Sequence, residues 1–245
     1  MSAIWGMRER RDNMEHDPQL AVLARTELFR GAPPETLRAV QSTSVRKRFA
    51  TGETVFCQGD AATTLYVVVV GRLRATQTTP DGQQVIIRYL GPGEVAGYAA
   101  LSGGAVHPGT VTAVDDSHLL AWDHAVFKEI MAGHSVVALN AIALLGARYH
   151  DLQVRLRELS TQRVEQRIAH TILRLAEKAG RRTARGIEIA FPLSRQDLAE
   201  MSATTLHTVS RTLSAWEEQG IVDCGRRRVI VVNADALALV GNGRR

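Results

Sequence analysis

Near residue 133 the hydrophobic period of this chain changes, and that switch restricts the fold more than any other feature. Before it, from about Val45 to Trp122, short β-branched runs alternate with glycine turns. After it, Ala138, Ile142, Leu145, Tyr149, Leu152, Leu156 and Leu159 recur at alternating spacings of four and three. A period near two calls for strands, and a period near 3.5 calls for a helix with a narrow apolar seam. The chain therefore builds a sheet structure first and a helical one second.

The strand-like runs are Thr54-Val55-Phe56, Leu65 to Val70, Leu73 to Thr78, Gln84 to Leu90, Gly109 to Val114 and His118 to Trp122. Their punctuation includes Gly52, Gly59-Asp60, Gly71, Asp81-Gly82, Gly91-Pro92-Gly93 and Gly103-Gly104. Many short strands at regular spacing indicate a sandwich, jelly roll or barrel. Asp81-Gly82 suits a hairpin turn, because glycine reaches positive φ without steric cost. Upstream, Leu20 to Val40 reads as helix broken at Gly31 and Pro33-Pro34, with a new helix starting at Pro34.

The long helix after residue 133 admits two readings. Its stripe could pack on the chain's own barrel, or it could form a two-helix dimer seam. The narrow stripe over about three heptads favours the dimer. Arg148, Asp151, Arg155, Arg157 and Glu158 lie between the seam positions and read as the wet face. Ser160 and Thr161 are expected to interrupt the helix and cap the next one. That next helix carries Val164, Ile168, Ile172 and Leu175 on one face and ends near Gly180, with Arg181 to Gly186 as a loop.

Charge is distributed unevenly. Residues 1–160 hold 16 Lys/Arg and 16 Asp/Glu, whereas residues 161–245 hold 14 and 9, so the whole net charge of +5 lies in the last third. A local basic excess is the footprint expected of a polyanion-binding surface. Residues 1–18 are polar and are expected to form a disordered arm without the apolar stretch of a secretory signal. No apolar run approaches the ~18 residues needed to span a bilayer. The two cysteines, Cys57 and Cys224, make no metal-spaced cluster or disulfide framework, which fits a cytoplasmic protein. Cys57 reads as a small buried hydrophobe. Cys224 is the better candidate for oxidation coupled to the neighbouring basic hairpin.

Residues 192–232 are the most informative stretch. Ser194 followed three positions later by Asp197 makes a capping-box-like start to a short helix, and Leu198 and Met201 give it an apolar side. Ser202-Ala203-Thr204 makes a turn, Thr205 caps a second helix running to Gln219, and Gly220 stops it. Val209, Leu213 and Trp216 form the buried side of that helix. His207, Thr208, Ser210, Arg211 and Ser214 are left facing outward. Ile221-Val222, Gly225-Arg226-Arg227-Arg228 and Val229 to Val232 then read as a β-hairpin with a basic tip. A helix in the major groove presents residues of its first turns to base edges. Arg211 is the candidate for a bidentate guanine contact, with Ser210 and His207 at neighbouring bases. Thr204, Thr205 and Thr208 suit phosphate oxygens, and Arg226, Arg227 and Arg228 suit the backbone without sequence choice.

These segments resemble the Crp/Fnr family, the cyclic-AMP receptor and fumarate-nitrate regulators. The resemblance covers roughly residues 27–240. It is carried by Leu193-Ser194-Arg195-Gln196-Asp197-Leu198-Ala199-Glu200, by Thr208-Val209-Ser210-Arg211-Thr212-Leu213 and by Glu218-Gln219-Gly220-Ile221-Val222. Gly52-Glu53 with Gly59-Asp60, Leu65-Tyr66 with Gly71, Asp81-Gly82 and Leu90-Gly91-Pro92-Gly93-Glu94 carry it in the first half. It implies an α+β chain in four parts: the arm to residue 18, a cyclic-nucleotide-binding-like double-stranded β-helix (jelly-roll) effector domain with flanking helices over 19–132, a dimerisation helix over 133–160, and a winged helix-turn-helix over 161–245. It implies a non-enzymatic homodimer on pseudo-palindromic double-stranded DNA, controlled allosterically by a small-molecule or gas effector and able to touch RNA polymerase.

The departures from the family concern specificity. Family members often carry glutamate where His207 stands. Cyclic-AMP binders use Gly-Glu for the ribose and Arg-Ser for the phosphate, and these fall on Gly97-Tyr98 and His107-Pro108. Without the arginine a buried phosphate loses its bidentate partner, so cyclic AMP in the usual mode is not expected. The expected effector pocket comprises Gly97, Tyr98, His107, Pro108 and Tyr149. An iron–sulfur cluster needs four ligands that two cysteines cannot supply. Haem sensing of carbon monoxide or nitric oxide stays open, with His107, in a surface loop before a proline, as the possible ligand. His118, His124, His134 and His150 have no spacing that selects one. A metal-dependent cupin enzyme would need clustered ligands such as an H-x-H pair, which is lacking. A cyclic-nucleotide-binding regulatory subunit would explain the barrel and leave the basic winged helix unexplained.

Overall fold

The structure, a computed structural model, describes residues 17–243. The chain divides into two compact units, residues 17–78 with 87–150 and residues 151–243 with 79–86. The arm expected over residues 1–18 falls outside the described part except for its last two residues. Those begin a helix: the Asp17 carboxylate accepts from the Gln19 amide, and Pro18 occupies the first turn of α1, Pro18–Arg25.

In the first unit α1 leads through a 3-10 turn at Glu27–Phe29 to α2, Pro34–Ser42, which starts at the expected proline. Eight strands follow along the chain, of which β5 starts within the 79–86 segment: β1 Val45–Phe49, β2 Thr54–Phe56, β3 Thr64–Val70, β4 Leu73–Thr78, β5 Gln84–Leu90, β6 Val95–Ala96, β7 Thr110–Ala113 and β8 Ser117–Asp123. They form two four-stranded sheets, in the orders β1-β8-β3-β6 and β2-β7-β4-β5. The expected strands are present within a residue of the read boundaries. Two were unread, and each has a reason. β1, Val-Arg-Lys-Arg-Phe, is an exposed edge strand with no apolar alternation. β6 has two residues.

The apolar composition of β3 follows from its burial on both faces. Val68, with Leu73, Leu90, Ala96, Val111, Ala113 and Leu119, fills the space between the two sheets. Leu65, Val67 and Val69 face the other way and join Leu120 and Trp122 against the helices. A strand covered on both sides reads as a continuous apolar run rather than an alternating one. Trp122 is 1% exposed, packs with Phe29 and Phe127, and donates its indole N–H to the Val40 carbonyl at 2.8 Å. Removing that side chain should cost about 3–5 kcal/mol. The Leu90–Glu94 turn is held by the Glu94 carboxylate, which accepts from the Gly91 amide at 2.9 Å and from Arg88 at 2.5 Å.

Two helices follow the barrel, α3, His124–Gly133, and α4, Ser135–Thr161. The first turns of α4 bury Val137, Ala141 and Leu144 in the helix-facing core. Several side chains of α4 differ from expectation. Arg148, read as wet, is largely covered and pairs with Glu27 at 3.0 Å. Glu158, also read as wet, is 7% exposed and accepts from Arg174 at 2.6 Å. Ser160 and Thr161 do not interrupt the helix. Their hydroxyls donate to the carbonyls of Leu156 and Arg157 one turn back, so they continue α4 instead of capping its successor.

The second unit continues with α5, Val164–Ala179, whose Ile168, Ile172 and Leu175 are buried. Arg181 to Gly186 is not a loop. β9, Gly180–Thr183, and β10, Gly186–Ile189, form a hairpin. The arginines of β9 occupy an edge and hide the strand from any hydrophobic pattern. α6 is Arg195–Met201, α7 is Leu206–Glu218, β11 is Val222–Gly225, β12 is Arg228–Val231 and α8 is Ala234–Gly241. The four strands order as β11-β12-β10-β9.

Candidate nucleic-acid interface and effector pocket

Local chemistry builds the helix-turn-helix. The Ser194 hydroxyl accepts from the Asp197 amide at 3.0 Å, and the Asp197 carboxylate accepts from the Ser194 amide at 2.8 Å. This is the reciprocal cap read from the sequence. α6 ends at Ser202, and Ala203 adopts φ +50, a left-handed conformation that costs a residue with a Cβ roughly 1 kcal/mol. The Thr205 hydroxyl accepts from the Thr208 amide at 3.2 Å and starts α7. Gly220, at φ +68, ends it.

α7 buries Val209, Leu213 and Trp216, and exposes Thr205, His207, Arg211 and Ser214. Thr204, Thr208 and Ser210 are half-buried beside that face. The wing follows as expected, with Arg226, Arg227 and Arg228 exposed around its turn and Arg227 at φ +57. Arg228 leans toward Asp223 at 3.7 Å, and Asp223 also holds Arg185 at 3.0 Å. Between the wing and the start of α6 lies a cleft of about 320 Å³, lined by Ser194, Arg195 and the three wing arginines. Cys224 is half-buried in β11. Burial, with Glu217 beside it, pushes its thiol up to about 12. A thiol so raised stays protonated and weakly nucleophilic, which argues against the redox role for which Cys224 was the better candidate.

In the barrel, Gly97 and His107 come together. Gly97 has φ +72, and a Cβ there would meet the Thr64 carbonyl at 2.5 Å and the His107 ring at 3.6 Å. His107 does not lie on the surface: it is 4% exposed, and its ring stacks on Phe56 with centroids 3.7 Å apart and planes 13° from parallel. Phe56 in turn stacks on Tyr66 at 6.0 Å. His107 Nδ1 is buried without a hydrogen-bond partner. Burial pushes the imidazole below its ordinary range, opposed by nearby Asp60. Tyr98 is turned away, packing on the helix side of the first sheet, and Pro108 is exposed. Tyr149 is 65% exposed on α4. Cys57, read as buried, is exposed at the end of β2. Phe56 and Tyr66 went unread as site residues. Phe56 follows Val55 as one more apolar strand residue, so no sequence signal separated them.

His107 is the residue considered for haem. Its ring is 4% exposed and stacked face to face on Phe56, which leaves no room for a macrocycle beside it, and the residues as placed do not fit that group.

Residues 46–134 match the cyclic nucleotide-binding domain and residues 166–240 the Crp-like helix-turn-helix domain. A curated relative, the cyclic AMP receptor protein of Thermus thermophilus, is 31% identical over 216 residues, covering 88% of this chain and 97% of the relative. The chain belongs to the Crp/Fnr family. The catabolite activator protein structure from Thermus thermophilus is 30% identical and covers 90% of this chain and 100% of its own, with a TM-score of 0.53. FixK2 from Bradyrhizobium japonicum superposes with a TM-score of 0.72 at 24% identity, covering 80% of this chain and 96% of its own. The chain is thus a DNA-binding transcription regulator, and its relatives are regulators rather than enzymes.

Crp/Fnr members are dimeric, and α4 of this one carries a stripe to match. Ile142, Leu145, Tyr149, Leu152, Leu156 and Leu159 are all exposed, and Ala138 is half-buried. Different residues of the helix serve its inner and outer faces. Val137, Ala141 and Leu144 pack on the barrel core, and the seam positions face outward. No single helix of the described residues is long and apolar enough to cross a membrane.

Proposed function

We propose that two copies join along the exposed stripe of α4 and set their α7 helices in successive major grooves of a pseudo-palindromic duplex. The observation carrying this reading is the stripe itself: Ile142, Tyr149, Leu152 and Leu156 are each at least 60% exposed in the single chain. A contiguous apolar strip at coiled-coil spacing is an association surface. Arg211 reads guanine O6 and N7, with His207 and Ser210 at neighbouring bases. Thr204, Thr205 and Thr208 bind phosphates, and the wing arginines add affinity without sequence choice. The regulator acts in the cytoplasm, where exposed loops engage RNA polymerase.

The test is selection of duplexes from a randomised pool. The expected product is an inverted repeat with half-sites about one helical turn (~34 Å) apart. Recovery of single or directly repeated sites would overturn the arrangement.

The barrel senses a small molecule or gas other than cyclic AMP bound in the usual mode. A neutral imidazole stacked on Phe56 occupies the position that the family resemblance assigns to the phosphate-holding arginine of cyclic-AMP binders. A second reading, cyclic AMP itself, is favoured by the 31% identity to the Thermus receptor. Titration calorimetry with cyclic AMP separates the two: micromolar binding would establish the second.

A further inference from the structure

Arg167, in the first turns of α5, donates three hydrogen bonds to three backbone carbonyls. Nη1 reaches Gln162 at the corner between α4 and α5, Nε reaches Ser202, and Nη2 reaches Ala203, each at 3.0 Å. Ser202 ends α6 and Ala203 is the left-handed residue of the helix-turn-helix turn. The same corner is held a second way. Glu158 pairs with Arg174 at 2.6 Å and lies 3.7 Å from His170, whose Nδ1 contacts the Gln162 side-chain oxygen at 3.1 Å. The end of the long helix, the start of α5 and the turn before α7 therefore share one polar junction.

We propose that Arg167 is a positioning residue for DNA binding. By holding the Ser202–Ala203 turn to the α4–α5 corner, it sets the placement of α7 without touching DNA. This rests on the reading that α7 enters the major groove. The physical requirement is specific to guanidinium. The last carbonyls of a helix have no partner within it, and here the Ser202 carbonyl at the end of α6, the Ala203 carbonyl of the turn and the Gln162 carbonyl of the corner all accept from one side chain. A planar fork with five N–H donors can serve three such acceptors at once, whereas an ammonium on a similar stem is a point donor. Displacement of α7 matters because hydrogen bonds to base edges weaken steeply with distance and angle.

Arg167→Lys and Arg167→Gln in the full chain test this, with Arg211→Ala as the reference for a base-contacting residue. The probe is a duplex selected by the wild-type protein from a randomised pool, compared with a scrambled duplex at several salt concentrations. The expected result for Arg167→Lys is a folded protein whose affinity for the selected duplex falls about tenfold, one decade of dissociation constant. Binding to the scrambled duplex and the salt slope should stay at wild-type values, because no phosphate contact is lost. A slope reduced by about one would make Arg167 a phosphate ligand and overturn the proposal. Unchanged affinity and discrimination with only a lower melting temperature would overturn it as well, leaving a purely structural role. If neither variant folds, the clamp belongs to the fold and the proposal fails. Failure of the underlying groove reading is separately visible, as unaltered base preference in Arg211→Ala.

Discussion

Truncating the outward leucines of α4 should weaken self-association by an amount that can be worked from their exposure. Leu156 is 67% exposed and Leu152 60% exposed. Fully burying a leucine side chain contributes roughly 1.5–3 kcal/mol. Recovering about two-thirds of that in each of two copies amounts to ~2–4 kcal/mol per position. Leu156→Ala should therefore raise the dimer dissociation constant about 30- to 700-fold, at ~1.4 kcal/mol per decade. Leu152→Ala should act similarly, and the pair should be close to monomeric at micromolar concentration. Arg157→Ala, on the exposed face beside the stripe, should leave the constant unchanged. Sedimentation velocity over a concentration series reads the constant, and far-ultraviolet circular dichroism checks that α4 persists. A Leu156→Ala constant within about threefold of wild type, far below the decade that ~1.4 kcal/mol produces, would refute the seam, as would a wild-type chain monomeric at every concentration.

Arg211→Ala should relax base choice at one position per half-site and cost about 1–3 kcal/mol, read by competition with singly substituted duplexes. An unchanged preference profile would remove Arg211 from the base-reading set. His107 is held neutral by burial, which pushes its folded-state value below the ordinary imidazole value of 6.5. The unfolded chain then binds more protons in that window, so stability falls as pH drops through 6.5 and levels off below the folded-state value. His170 is shifted the same way by burial, so His107→Phe should flatten part of the slope in urea titrations, and an unaltered slope would count against the buried imidazole. Exposed Cys57 should alkylate readily in native protein at pH 8, while Cys224, its thiol pushed up to about 12, should stay unlabelled until urea is added. Equal native labelling of both would contradict the burial of Cys224.

The parts of the fold legible in the sequence are those whose cause is local. The Ser194–Asp197 cap, the Thr205 start of α7 and the stop at Gly220 each depend on residues within a few positions, and each appears where it was read. The β9–β10 hairpin was not legible, because an arginine-rich edge strand owes its pairing to a neighbour rather than to its own pattern. The charged residues of α4 misled for the same kind of reason. Arg148 and Glu158 sit among seam positions as solvent-facing charges would, yet Glu27, Arg174 and His170 arrive from distant segments to cover and pair them.

By itself the sequence determined the order of architectures, the helix caps, the outward face of α7 and the apolar stripe of α4, since period and capping chemistry operate over one or two turns. Only the tertiary structure decided that His107 is buried on Phe56, that Tyr98 turns away from it, and that Arg167 ties three carbonyls together. Those contacts join residues brought close by packing alone, and no spacing along the chain encodes them.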